Sequence, residues 1–581
     1  MLRQIREMAQ AGRYDFYLLR NFGVDSVKKQ RKIRAYHKCP PKCVMDNMHI
    51  VPQEILEKQK NKKFKVSPKI SIITPLYNTP KQFLEEMLDS VQEQTYPNWE
   101  LCLADGSTDS YEYVGKICKA RAKKDHRIVY CKLEKNEGIS ENTNTCIKMS
   151  TGEFIGLLDH DDRLHPSALF EAVKAINKEN ADFIYTDEVK FGEKIETINN
   201  PIFFNLKPGF SKYDLRAHNY ICHFTVFSKH LLDEGELYRK EYDGSQDHDM
   251  VLRMTEKAER IVHIPKVLYY WRLHSNSVSM DLDTKAYAID AAFKAVKSQL
   301  ERNHISGSIS NTKRLRTLYR IKYDIIDQPK VSIIIHGTAN GEDVEEVIDR
   351  LLKNTDYRPL EILYAKKENV ALDYENVSFV NMGDICEMKK TEIWNHGAEL
   401  ATGTHIVLLD RSVCPLSSGW IEEMLMYSQK EDVHAVAPKI FYKDWSIAYA
   451  GVSLQEESKT KIRILGQHNV RGDDGYEALL RHVRKTASAF AACMMFSKKC
   501  WEEVGGFSDQ CPGYEDIDFC VKGLEEEKYN IWTCFAVLSC EKKEIWEEKT
   551  DEQAQIFENR HRTAICNDET FHPGWDILHL I

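Results

Sequence analysis

No apolar run in the sequence approaches the roughly 18 residues that a membrane-crossing helix needs. The longest, Ala489–Phe496, suits a buried core segment. The opening Met1-Leu-Arg-Gln-Ile-Arg6 lacks a secretory apolar stretch, which predicts a chain that stays in the cytoplasm. Neither G-x-G-x-x-G nor G-x-x-x-x-G-K-[ST] occurs, so a glycine cradle for phosphate is excluded. Paired metal-binding cysteines are missing as well. His37-Lys-Cys39-Pro-Pro-Lys-Cys43 has no matching second pair, and the 16 cysteines read as reduced core residues. Positive charge is outnumbered beyond residue 69. The first 69 residues hold 17 Lys and Arg against 6 Asp and Glu, so the net charge of −9 leaves about −20 on the remainder. A body this acidic repels phosphate backbones, which argues against nucleic acid as a partner.

The 581 residues are too many for one hydrophobic core and predict at least two domains. A composition of 42% hydrophobic and 29% charged residues is that of ordinary globular protein. The basic leading segment carries Leu2, Ile5, Phe16 and Leu19 as apolar anchors. Two readings of it stand open: a solvated basic helix, or a segment lying on an anionic membrane surface.

Strand and helix patterns then alternate. Lys69-Ile-Ser-Ile-Ile reads as a buried strand ending in turn residues at Tyr77-Asn78, and Phe83, Leu84, Met87, Leu88 and Val91 follow at helical spacing. Trp99–Ala104, Ile128–Leu133, Phe154–Leu158 and Phe183–Thr186 are further strands, separated by helical stretches. The alternation predicts an α/β fold with a mainly parallel sheet. Acids follow the strands: Asp105, then Asp159 with Asp161, then Asp187 with Glu188. Strand ends line one edge of a parallel sheet, where ligands of open α/β sheets bind. Carboxylates two apart at such an edge can share a hard divalent cation, which then neutralises a diphosphate. The plainer alternative is a solvated acidic turn. Farther on, Gly244-Ser-Gln-Asp247 enters a helix, and a strand-like stretch from Val262 ends in Trp271-Arg272-Leu-His274. A single Asp at a helix start is ordinarily a cap, and a lone His is ordinarily structural.

Together these pieces resemble a known family. Ser71-Ile-Ile-Thr-Pro-Leu-Tyr-Asn78, Asp105-Gly-Ser-Thr-Asp109, Leu157-Leu-Asp-His-Asp-Asp162, Gly244-Ser-Gln-Asp247 and Ile264–His274 match, in order, the family-two glycosyltransferases of GT-A fold. The resemblance implies that Tyr77 and Asp105 hold the nucleotide base and that Asp159 lies at the ribose and diphosphate. It further implies that Asp161 ligates Mg²⁺ or Mn²⁺ with His274, that Arg272 faces the leaving diphosphate, and that Asp247 is the catalytic base. One departure is Ala104, where many relatives carry a second Asp.

A second copy follows. Pro68-Lys-Ile-Ser-Ile-Ile is echoed by Pro329-Lys-Val-Ser-Ile-Ile334, Asn144–Asp159 by Asn395–Asp410, and Gln246-Asp-His-Asp249 by Glu515-Asp-Ile-Asp518. The expected organisation is a basic segment (1–67), an active GT-A domain (68–282), a helical linker (283–328), a second Rossmann-like GT-A domain (329–545) and a tail (546–581). In the copy, Asp159-His-Asp161 has become Asp410-Arg411-Ser412, and Asp105-Gly-Ser has become Ala365-Lys-Lys. Loss of anionic ligands weakens cation binding, although Asp516 survives as a second candidate base. Tandem relatives of this type make bacterial surface polysaccharides. By resemblance, the expectation is an inverting, metal-dependent transferase acting on a nucleotide-sugar donor and an oligosaccharide or lipid-linked acceptor, peripheral on the inner face of the cell membrane. Two alternatives remain: a bifunctional polymerase with both domains active, and a non-catalytic glycan- or nucleotide-binding scaffold.

Overall fold

A computed structural model describes residues 50–199, 201–232, 237–274, 286–337, 343–367, 370–570 and 572, with scattered residues between 12 and 31. The Cys39 and Cys43 stretch, Leu2 and Ile5 lie outside the described residues, while Phe16 and Leu19 are exposed. Compactness divides the chain at Tyr319/Arg320, with His572 counted in the first unit. No helix of the described residues is long and apolar enough to cross a membrane, and their cysteines are free and mostly buried.

In the first unit, apolar residues at almost every position make β1 (Ile70–Leu76) and β2 (Trp99–Asp105) strands buried on both faces. The other strands are β3 (Ile128–Lys132), β4 (Phe154–Leu157), β5 (Arg163–Leu164), β6 (Phe183–Phe191), β7 (Phe203–Asn205), β8 (Thr225–Ser228) and β9 (Ile261–Arg272). They form one sheet in the order β3-β2-β1-β4-β8-β6-β9-β5, with β7 on β6. The strands β3, β2, β1 and β4 run parallel, as do β6 and β9. Between these blocks β8 is antiparallel to both neighbours, and β5 is antiparallel to β9. The helix Lys81–Gln92 buries Leu84, Met87, Leu88 and Val91, the face its spacing predicts.

The foot of the sheet is locked by one buried carboxylate. Glu100 accepts from Ser71 Oγ at 2.6 Å and pairs with Lys69 at 2.6 Å. Ser71 Oγ in turn accepts from Gly152 N at 2.9 Å. A Cβ on Gly152 would lie 2.6 Å from both Lys69 O and Ser71 Oγ, so only glycine lets the chain enter β4 here.

Two features depart from the sequence reading. The strand expected to stop at Thr186 runs on to Phe191, so Asp187 and Glu188 lie inside β6, fully buried, and not beyond its end. Glu188 is satisfied there by Lys207 Nζ and Asn205, and Asp187 by two histidines and Lys207 N. The helix Ala286–Arg302, expected as a linker, packs with its Ala288, Ala291, Ala292, Val296 and Leu300 face within the first unit, against the helix Gln246–Lys257.

After β10 (Gly307–Asn311) and β11 (Tyr319–Tyr323), the second unit repeats the plan. Its strands are β12 (Val331–His336), β13 (Leu360–Tyr364), β14 (Val377–Asn381), β15 (His405–Asp410), β16 (Val413–Pro415), β17 (Val433–Tyr442), β18 (Ile447–Tyr449), β19 (Val452–Leu454), β20 (Ile462–Ile464), β21 (Arg484–Thr486), β22 (Cys493–Ser497) and β23 (Tyr529–Cys540). The sheet order β14-β13-β12-β15-β22-β17-β23-β16 matches the first unit strand for strand. The lock recurs too: Ser332 Oγ donates to Glu361 at 2.6 Å and accepts from Gly403 N at 2.9 Å. The tail from Trp546, which the sequence leaves unassigned, forms the helix Asp551–Cys566 against the helix Glu515–Glu525. Phe557 stacks on Tyr514 at 4.5 Å and Trp546 on Phe490 at 4.7 Å.

Candidate functional site

The ends of β1 and β2 are stitched together before any functional group is placed. Gly106 N donates to Leu76 O at 2.9 Å, Asn78 N to Ser107 Oγ at 2.9 Å, and Thr108 N to Asn78 Oδ1 at 3.0 Å. Tyr77 projects from this junction and is 44% exposed. Asp105, at the tip of β2, is buried. Its carboxylate accepts from Tyr130 OH at 2.7 Å and Ser107 N at 2.8 Å, with Lys132 Nζ at 3.4 Å.

Beyond β4 the chain turns through Asp159, His160, Asp161 and Asp162. Two of these acids meet histidines from distant segments. Asp161 Oδ2 lies 2.7 Å from His274 Nε2, and Asp159 Oδ2 lies 3.3 Å from His223 Nε2. His274 reaches the turn because β9 ends at Arg272, two residues earlier. Its ring packs 5.3 Å from that of Phe83. Burial pushes the Asp161 carboxyl up, but the His274 hydrogen bond and the His160 charge outweigh this and hold it below its ordinary value. Desolvation raises Asp159, His223 opposes that rise, and the negative charges of Asp161 and Asp247 add to it. Asp247, in the first turn of the helix Gln246–Lys257, therefore shares this field; its Oδ2 accepts from Asn219 Nδ2 at 2.9 Å. Its neighbours in the motif are structural: His248 bonds Leu215 O at 2.9 Å, and Asp249 pairs with Arg239 and Arg253.

Arg272 takes a different place from the one expected. It is wholly buried beneath the turn, its backbone N donating to Asp162 Oδ1 and its Nε to Asp161 O, both at 2.7 Å, while its other end pairs with Glu86. The guanidinium is sandwiched between Phe83 (4.4 Å) and Phe191 (4.6 Å). A guanidinium so committed holds the acidic turn in shape and presents no donor to a diphosphate. Asp162 is likewise internal, fixed by Tyr269 OH at 2.6 Å. Burial, then the nearby Asp161 and Asp159 charges, keep its carboxyl well above the ordinary range.

His223 is the residue sequence reasoning missed. It stacks on Trp271 (5.1 Å, 9°) and stands edge-on to Tyr269 (4.7 Å), facing Asp159 from the loop before β8. Asp159, Asp162 and His223 bring one ligand atom each within 4.8 Å of one another. No local pattern marks this histidine, since its partner is 64 residues away. Carboxylate oxygens beside imidazole nitrogens, with one carboxyl pushed up partly by like charge, form a donor set that fits a divalent cation.

The second unit presents other chemistry at the equivalent positions. Asp410 Oδ2 lies 2.7 Å from Lys542 Nζ, and Ser412 donates both its hydroxyl and its N–H to Asp410 Oδ1. Lys542 stands two residues past the end of β23, as His274 stands two past β9. Burial raises the Asp410 carboxyl, but the His336 and Lys542 charges bring it below its ordinary value. Arg411, between Asp410 and Ser412 in the chain, donates to Ala365 O at 3.3 Å. Asp516 is buried, its oxygens accepting from Ala491 N at 2.8 Å and Ile517 N at 3.0 Å, and burial pushes its carboxyl up to about 6.

Residues 71–235 match the profile of Glycosyl transferase family 2. Over 488 residues the chain is 30% identical to the uncharacterized protein y4gI of Sinorhizobium fredii, covering 81% of this chain and 53% of that protein. It is 27% identical over 456 residues to the O-antigen biosynthesis protein RfbC of Myxococcus xanthus (76% and 35%). It is 28% identical over 249 residues to a chondroitin synthase of Escherichia coli (42% and 34%). The chain thus spans from about a third to about half the length of these curated relatives. Residues 71–235, which carry the acidic turn and the strands from β1 to β8, therefore form a Glycosyl transferase family 2 domain.

Proposed function

We propose that the first unit is an inverting, metal-dependent glycosyltransferase that moves a sugar from a nucleotide-sugar donor to a growing, lipid-linked glycan in surface polysaccharide synthesis. The 2.7 Å approach of His274 to Asp161, with Asp159 and Asp247 in the same field, carries this reading. Asp161 and His274 would hold Mg²⁺ or Mn²⁺, with Asp159 beside them. When bound, such an ion stabilises the negative charge that grows on the leaving diphosphate. Tyr77 offers an exposed ring to the nucleotide base just past the end of β1, and Asp105 stands at the end of β2 in register with Leu76. Asp247, oriented by Asn219, takes the acceptor hydroxyl's proton as the new bond forms. A single base and no carboxylate assigned as nucleophile lead to one displacement with inversion.

Names of relatives in O-antigen and chondroitin synthesis support a polysaccharide acceptor. The basic amino-terminal segment suits a peripheral position on the cytoplasmic face of an anionic membrane. The second unit, from about Pro329 to Ile545, is proposed to be a non-catalytic copy, because Lys542 and Ser412 occupy Asp410 and backbone amides occupy Asp516. The test is hydrolysis of a panel of nucleotide sugars by the full chain with Mn²⁺. Wild type should hydrolyse one donor, and Asp161→Ala should lose at least about 100-fold, on the scale of an electrostatic catalytic group. Equal rates in the two proteins would overturn the reading.

A further inference from the structure

A second cluster of ligating side chains lies in the first unit, away from the acidic turn. Asp187 in the middle of β6 meets His263 of β9 at 2.9 Å (Oδ1 to Nε2) and His572 at 2.6 Å (Oδ2 to Nε2). Three residues spread over 385 positions of sequence converge, each with a ligand atom within 4.8 Å of the others. Asp187 and His572 are buried, and the His263 side chain is 9% exposed. The transfer chemistry uses none of them.

We infer that Asp187, His263 and His572 form a buried site for a zinc-class divalent ion, separate from the Asp161 turn and independent of the transferase reading. Two imidazoles and one carboxylate are the mixed nitrogen–oxygen donors such an ion prefers, whereas Mg²⁺ favours sites in which oxygen ligands predominate. Zinc–ligand bonds of about 2.0–2.1 Å at tetrahedral angles separate neighbouring ligand atoms by about 3.3 Å. The 2.9 and 2.6 Å hydrogen-bonded distances are shorter than that edge, so a bound ion would take the place of the two hydrogen bonds. Each histidine then carries its proton on Nδ1 and turns a bare Nε2 to the ion.

The surroundings orient the ligands as metal sites require. Tyr185 stacks on His263 (4.7 Å, 20°), and Lys207 N donates to Asp187 Oδ1 at 2.9 Å. The Lys207 ammonium is spent elsewhere, on Glu188 and the carbonyls of Ile221 and His223. A comparable trio, Cys511, Asp518 and His561, lacks this character: Lys522 and Arg560 already neutralise Asp518, each at 2.8 Å.

The test is metal content and Zn²⁺ titration of the full chain. After dialysis against metal-free buffer with Zn²⁺ restored, wild type and Asp161→Ala should both retain about one equivalent of zinc by mass spectrometry, and Zn²⁺ should raise Tm. His572→Gln and His263→Gln should each bind at least about 10-fold more weakly. Co²⁺-loaded wild type should show a visible tetrahedral absorption band that His572→Gln lacks. Absence of zinc and of a Tm shift in wild type overturns the inference even if the variants fail to fold. Zinc lost in Asp161→Ala but kept in both histidine variants overturns it too, by assigning the ion to the acidic turn.

Discussion

At the foot of β1 and β12 the two units are interchangeable: a serine, a glutamate and a glycine meet with the same distances, 2.6 and 2.9 Å. At the opposite end they part company. There the first unit gathers three acids and two histidines, while the second answers Asp410 with an ammonium and a hydroxyl. The foot residues are buried and hydrogen-bonded, so any change leaves an unsatisfied group in the core. The rim acids of the first unit repel one another and are only partly offset by His223 and His274, so the proposed ion would relieve what remains. Once a copy no longer needs the ligand, a Lys in place of the His removes that strain. Conservation of the fold and loss of the site are then two outcomes of the same energetics.

The strongest way to break this contrast is to strike both candidate bases. Asp247→Asn should lower transfer by about 100- to 10,000-fold, whereas Asp516→Asn should leave it within about twofold; steady-state rates with one donor and acceptor decide. Equal losses would mean two active sites.

Acid stability sharpens the contrast next. Asp516 sits at about 6, above its ordinary 3.8, so its ionisation opposes folding. That cost is absent below about pH 4, grows as pH rises towards 6, and reaches on the order of 3 kcal/mol. Denaturant unfolding followed between pH 4 and 7 should show this slope for the second unit, and Asp516→Asn should flatten it.

The shared foot should behave alike in both units, with the opposite sign. Burial raises Glu100, but Lys69, Ser71 and Thr151 bring it to about 2; the ordinary value is 4.5. Glu361 is lowered in the same way by Ser332 and Thr402 against burial. The stabilisation from Glu100 is complete above pH 4.5 and is lost as pH falls towards 2, and that from Glu361 is likewise present above pH 4.5 and lost in acid. Glu100→Gln and Glu361→Gln should each cost about 2 kcal/mol at neutral pH, measured by chemical denaturation, with the difference vanishing in acid.

The smallest effect is a reconstruction. Ser412→Asp with Lys542→His restores a carboxylate and an imidazole to the second unit, and should give a Mn²⁺-dependent rise in Tm of a few degrees, about 1 kcal/mol. Lys542→His alone should give none.

Much of this was legible from sequence, and the misses have physical causes. Strands such as Ile70–Leu76 announce themselves because both faces are buried, so every residue is apolar or small. The four residues of β8 are too few to show any period, and their place between β4 and β6 depends on contacts far along the chain. Asp187 and Glu188 looked like a strand end because acids rarely lie inside β-strands; buried Lys207 and two histidines make them an exception. The Asp161–His274 encounter followed from motif order. His223 had no motif, and Arg272 misled because the family resemblance gives the residue's place in a motif and not its surroundings, where two phenyl rings and Glu86 hold it inside.

Asn219 and His223 belong to a single five-residue stretch, and each grips one of the two carboxylates on which the proposed reaction turns, Asp247 and Asp159. Lys207 clamps the middle and end of that stretch through the Ile221 and His223 carbonyls. The donor side and the acceptor side are therefore strung on one short tether. Held at Asn219, Ile221 and His223 together, the stretch keeps the two carboxylates in a fixed relation to each other.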